Sequence, residues 1–262
     1  MREFTLIGNV VEADGVIPSA KIVETAEAVA AQVATARRLG ARLITIVGTA
    51  VLRAAPNTDE LAAEVEKQTG FPLRVLSEEA EAEFSFLGAT TTSAPDGYGP
   101  VAVADIGGGS SELAVGRCGE KPSWWHSIEL GTAHLVRECL GGDPPTADQL
   151  AECRARAADA VGRLDPPEVT HALAVGGSAT SMRLLAGPLL DDRTMEEALH
   201  LLRHHAAADV AQEYEIDVRR VRLLPAGIAI LAAVSARLGL PLHVARGGLR
   251  EGVVLRLADS LS

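Results

Sequence analysis

Aromatic residues are scarce: 4 Phe, 2 Trp and 2 Tyr among 262 positions. Apolar residues still reach 47%, so a sizeable core is available, and Ala, Val, Leu and Ile must fill most of it. Cysteine is rarer. Cys118, Cys139 and Cys153 lie far apart without metal-ligand spacing, and their odd number implies no disulfide framework. Positive charge is in deficit, with 24 Lys and Arg against 35 Asp and Glu for a net charge of −11. That balance argues against a general nucleic-acid or membrane-surface binder, whose phosphates would be repelled at long range. It leaves room for a phosphorylated substrate held by a local cluster of backbone donors. Long hydrophobic runs are missing too. The longest, Leu223 to Ala236, is 14 residues, contains Pro225 and Gly227, and lies between Arg222 and Arg237. It falls short of a membrane span and reads as a buried helix. The opening Met-Arg-Glu-Phe-Thr-Leu lacks a basic-then-apolar signal pattern, so a cytoplasmic enzyme or binding protein is expected.

What is present alternates between strand-like and helix-like segments, the pattern of an α/β fold. Ile22, Ala26, Val29, Val33 and Ala36 recur at helical spacing and stop at Gly40, a C-terminal cap signal. Short strands are predicted at Leu43–Val47 and Leu73–Leu76, a helix at Thr58–Thr69, and an acidic helix from Ser77. After a Thr-, Pro- and Gly-rich loop over Thr90–Pro100 come three strand-like stretches, Val101–Ile106, Ser111–Gly116 and Ser123–Ile128, which turn residues join into a meander. From Gly131 the chain is mostly helical (131–140, 147–163, 178–186, 194–215, 223–238 and 248–259), with strands at His171–Val175 and Leu242–Ala245. The change of character predicts a sheet-rich first half, 1–128, and a helix-rich second half, 129–262.

Two glycine turns carry the chemistry. In Asp105-Ile106-Gly107-Gly108-Gly109-Ser110-Ser111-Glu112-Leu113 a strand ends in an aspartate and three residues without Cβ turn the chain, so several N–H groups can point at one anion. Ser110 and Ser111 add hydroxyls, and Asp105 can take a divalent cation. Equally, the stretch is a tight hairpin whose Asp105 is satisfied locally. No Gly-Lys-Ser/Thr and no helix follows, so neither a Walker loop nor a Rossmann turn is present. The second turn, Gly176-Gly177-Ser178, follows the strand His171–Val175 and opens a helix, whose free N–H groups and dipole favour an anion. The plainer account makes Ser178 an N-cap. Glu78, Glu79, Glu81 and Glu83 crowd a helix start, more carboxylates than capping requires, and one of them could serve as a general base on water. Arg53 could neutralise a phosphate, or be solvated at the surface.

In order along the chain these motifs resemble the exopolyphosphatase / guanosine pentaphosphate phosphohydrolase (Ppx/GppA) family of the actin–Hsp70–sugar kinase superfold. Thr49-Ala50-Val51-Leu52-Arg53-Ala54-Ala55-Pro56-Asn57 resembles the family's Thr-Ser-Ala-x-Arg-x-Ala-x-Asn. Leu76-Ser77-Glu78-Glu79-Ala80-Glu81-Ala82-Glu83 resembles Ile-Ser-Gly-Glu-Glu-Glu-Ala-Arg, and Asp105–Leu113 matches Asp-Ile-Gly-Gly-Gly-Ser-Thr-Glu-Leu almost letter for letter. Val175–Thr180 is similar to Gly-Gly-Thr-Ala-Thr, and Arg246-Gly247-Gly248-Leu249-Arg250-Glu251-Gly252 to Arg-Gly-Leu-Arg-Glu-Gly.

The resemblance implies a two-lobed actin-like (ribonuclease H-like) α/β fold. It implies that Gly107, Gly108, Gly109, Ser110 and Ser111 hold a terminal phosphate, and that Gly176, Gly177 and Ser178 approach from the other lobe. Arg53 would contact phosphate, Glu81 would activate water, and Asp105 would hold Mg²⁺ or Mn²⁺. The implied reaction is release of terminal phosphate from polyphosphate or guanosine pentaphosphate. The alternatives are an impaired relative that binds polyphosphate or guanosine tetra- or pentaphosphate without turnover, and, more remotely, a sugar or acetate kinase. A homodimer is also implied.

Glu78 and Glu83 replace the family's Gly and Arg. No Asp-x-Gly-Ser/Thr-Asn of the family's opening hairpin occurs, and Ile7–Gly15 matches the segment after it. The expectation is a first lobe without that hairpin, whether through a start codon upstream of Met1, a ligand-sensing role, or an edge supplied by a partner chain. Without room for further carboxy-terminal domains, short polyphosphates or nucleotides are the expected substrates.

Overall fold

A computed structural model describes residue 7, residues 15–94 and residues 99–259. Gly8–Asp14, most of the segment matched to the stretch after the family's opening hairpin, lies outside the described residues. The chain divides into two compact units, Met1–Glu78 and Glu79–Ser262.

The first unit contains α1 (Ser19–Arg38), β1 (Ile46–Gly48), α2 (Ala50–Ala54), α3 (Thr58–Thr69) and β2 (Leu73–Val75). β1 and β2 pair in parallel, as a crossover through helices requires. The helical spacing read in α1 brings Ile22, Ala26 and Val33 into one core with Ile46, Leu61 and Val65. α3 stops at Gly70 in the left-handed conformation, φ 77°, whose N–H reaches Glu66 O. β1 starts later than the strand expected from Leu43, because Leu43 is 47% exposed and joins no core. Asn57 staples the unit: its Oδ1 accepts from Ile17 N at 2.9 Å and its Nδ2 donates to Ile17 O at 3.0 Å.

The second unit opens on α4 (Glu78–Thr92), followed by the meander β3 (Val101–Ile106), β4 (Ser111–Gly116) and β5 (Trp124–Ile128). Then come α5 (Thr132–Cys139), α6 (Ala147–Gly162), β6 (His171–Val175), α7 (Gly176–Ala186), β7 (Leu189–Leu190), α8 (Asp192–His204), α9 (Ala207–Glu213), α10 (Val218–Leu238), β8 (Leu242–Val244) and α11 (Leu249–Asp259). The strands form a six-stranded sheet in the order β5-β4-β3-β6-β8-β7, with β3, β6 and β8 parallel.

Alternation along the strands builds layers on both faces. Ala102, Ala104, Ile106, Leu113, Val115, Ala172 and Ala174 pack with residues of α5–α10. Val101, Val103, Ala114, Leu173 and Val175 pack with Ala82, Phe86 and Ala89 of α4. α10 spans 21 residues and is long and apolar enough to cross a membrane, but 67% of its most apolar stretch is buried inside the protein. It serves as the core helix of this unit. Asp217 caps it by accepting from Arg219 N at 2.9 Å, which starts it at Val218 rather than Leu223. The helix expected over 194–215 is broken into α8 and α9, where His205 and Ala206 adopt extended backbone.

The division expected near residue 128 falls inside the second unit. β3 pairs with β6 as well as with β4, which joins the meander to the helix-rich part in one sheet.

Candidate active site

Both glycine turns lie at the carboxyl ends of neighbouring parallel strands, β3 and β6, and an Ile106–Gly176 bridge extends the pairing to the turns themselves. They therefore belong to one sheet of one unit, not to two lobes. The register puts Asp105 beside Val175, so the chain leaves both strands at the same level.

The first turn is fixed from within and behind. Gly107 N–H donates to Ser110 O at 3.0 Å. The carbonyls of Gly107 and Gly108 accept from Thr132 N and Ala133 N, both at 3.0 Å, so α5 spends its first N–H groups on the turn. Gly131 makes this approach possible, since a Cβ there would sit 2.3 Å from Gly108 O. Gly108 and Gly109 are exposed. The second turn starts α7 without a side-chain cap at Val175. Gly176 has φ +95°, and a Cβ on it would meet Ile106 O at 2.5 Å, so glycine is required twice over. The uncapped N-terminus of α7 suits an anion.

Three carboxylates gather at this end of the sheet, on the α4 face. Asp105 follows Val101 and Val103 onto that face, and Glu112 lies directly across from it in the β3–β4 register. Glu81 is buried on α4 and raises the pKa of Glu112 through its charge. Asp105 is held above its usual pKa by burial, against the pull of a hydrogen bond from Ser85 Oγ to its Oδ2 at 2.5 Å. Glu112, only 3% exposed, is pushed to about 7, first by burial and then by Glu81, although Ser110 Oγ donates to it at 2.6 Å and Ser127 Oγ at 3.1 Å. Opposed carboxylates cost stability. Strongly perturbed groups of this kind are characteristic of functional sites.

The other candidate residues are placed as follows. Ser110 and Ser111 are buried, with hydroxyls directed to Glu112 and, at 2.7 Å, to Leu130 O, so backbone rather than hydroxyl donors face outward at the turn. Ser178 packs its Oγ under α10, 2.1 Å from where a Cβ on Gly227 would lie. Arg53 lies in the first unit, where its Nη1 donates to Leu76 O at 3.0 Å. Glu83 is paired with Arg256 of α11 and with Lys121 at 2.9 Å. Glu112 is the site residue that the sequence reading passed over.

Among the described residues no group of three or more His, Cys, Asp and Glu side chains is arranged to hold a metal ion by itself. Mg²⁺ usually takes one or two carboxylates together with phosphate oxygens and water. Asp105 and Glu112, opposed across one register position, supply hard oxygen donors that fit that requirement.

The model of the Ppx/GppA phosphatase family matches residues 2–261. The chain belongs to the Ppx/GppA phosphatase family. A guanosine-5′-triphosphate,3′-diphosphate pyrophosphatase of Aeromonas hydrophila is 30% identical over 229 residues, 82% of this chain and 45% of that protein. The chain thus spans under half the length of such curated relatives. A crystal structure of the Aquifex aeolicus Ppx/GppA family member superposes with a TM-score of 0.82 at 22% identity, over 99% of this chain and 88% of that one. An exopolyphosphatase from Cytophaga hutchinsonii gives 0.85 at 17% identity, over 97% and 87%. The fold is the actin-like fold of Ppx/GppA proteins.

Proposed function

We propose that the chain hydrolyses a terminal phosphoanhydride, in inorganic polyphosphate or in guanosine pentaphosphate. The observation that carries this reading is the meeting of two glycine turns with the half-buried Asp105 and the buried Glu112 and Glu81 at one end of one sheet. The outward amides at Gly108 and Gly109 and the start of α7 bind the terminal phosphate and take up charge as it develops. Glu81 orients a water and accepts its proton. The water oxygen bonds to phosphorus, the bridging P–O bond breaks, and the shortened chain or nucleotide leaves as its oxyanion. Mg²⁺, held by Asp105 and Glu112 with the substrate's own oxygens, would supply charge neutralisation.

The test is phosphate release from long-chain polyphosphate and from guanosine pentaphosphate with Mg²⁺, for the native chain and for Glu81→Ala. Removal of the base should lower kcat by about 10²- to 10⁴-fold. Equal rates would take Glu81 out of the mechanism. Binding without release from either substrate would make the chain a polyphosphate or nucleotide sensor.

A further inference from the structure

Ser85 lies four residues after Glu81, so both side chains leave the same face of α4. Ser85 is 2% exposed, and its Oγ makes the bond to Asp105 Oδ2 described above. The other carboxylate oxygen, Oδ1, lies 2.9 Å from where a Cβ on Gly176 would stand, so it faces the second turn. One hydroxyl therefore fixes which Asp105 oxygen faces the helix and which faces α7.

We propose that Ser85 is a positioning residue for hydrolysis: it bolts the face of α4 that carries Glu81 to the end of β3 and sets the rotamer of Asp105. This rests on the reading of the site as a phosphohydrolase. Three other attachments of α4 point elsewhere. Gly88 lies against Gly248, Phe84 against Gly252, and Glu83 pairs with Arg256 and Lys121. Apolar packing of Ala82, Phe86 and Ala89 holds the helix on the sheet but is not directional. The Ser85 bond is directional and joins the helix to the strand end from which the glycine turn starts. A small displacement of Glu81 along the sheet would misplace the water it holds.

Ser85→Thr and Ser85→Val are near-isosteric and differ in the hydroxyl, so their comparison isolates the bond from packing, with Ser85→Ala as a third variant. Relative to Thr, the Val and Ala variants should lose about 10- to 100-fold in kcat, since a misplacement of about 1 Å costs that much. KM should stay within about twofold, because ground-state binding is untouched. Amide hydrogen exchange over residues 81–86, followed without substrate, should be faster in Val and Ala than in Thr. Equal kcat in Thr and Val overturns the proposal, as does equal exchange. If the native chain releases no phosphate at all, the functional reading falls, and exchange alone still decides whether Ser85 holds the helix.

Discussion

At the scale of the residue, Glu112 ties stability to pH. The folded chain keeps its proton up to about pH 7, whereas an ordinary glutamate loses it near 4.5. Between those values the folded state holds more protons than the unfolded one, so stability falls as pH rises through this window. The whole shift is worth at most about 3 kcal/mol. Glu112→Gln imitates the protonated form and removes the dependence. Thermal unfolding should then show a variant little changed at pH 5 and more stable than the native chain at pH 8. A difference that stays constant with pH would refute the assignment. Glu112 was legible in principle. Two-residue alternation carried around the Gly107–Gly109 turn pairs Ile106 with Ser111 and so sets Glu112 opposite Asp105. In the motif from Asp105 to Leu113 the glycines and the hydroxyls beside them take the ligand roles and Glu112 takes none, whereas the fold turns those hydroxyls inward, one of them onto Glu112.

At the scale of the element, α4 and α11 meet backbone to backbone. A Cβ at Gly88 would lie 1.9 Å from Gly248 O and 2.7 Å from Gly252 N, both main-chain atoms that cannot swing away. Gly88→Ala should therefore cost about 3 kcal/mol or more in urea unfolding, the upper range for forced overpacking. It should also depress phosphate release, because the same helix carries Glu81. Unaltered stability would mean that the two helices separate freely. The closing Gly-Gly-Leu-Arg-Glu-Gly run was visible in the sequence, but its use was not, since only the contact with α4 explains the requirement for glycine. α2 and β7, five and two residues long, left no period to read, whereas most other helices and strands were readable from periodicity and caps, as at Gly70 and in the 101–128 meander. The break between α8 and α9 was not, because neither His205 nor Ala206 is a turn residue.

At the scale of the whole molecule, the sequence suggested a division where sheet gives way to helix. The compact units divide 50 residues earlier. The cause is non-local: β3 takes β6 as its parallel neighbour across the α5–α6 segment, a pairing that no local pattern announces. The same pairing moved Gly176 from a presumed second lobe to a place beside Asp105.

The carboxylates beside the turns have a consequence for encounter with substrate. If the turns bind phosphate as proposed, a chain of net charge −11 with carboxylates beside them repels a polyanion from a distance and captures it only at close range. Screening should then speed arrival instead of slowing it. In stopped-flow measurements with a fluorescent polyphosphate at fixed Mg²⁺, the association rate should climb as potassium chloride is added, the reverse of a basic phosphate-binding surface. A falling rate would show that local donors dominate the approach as well as the grip.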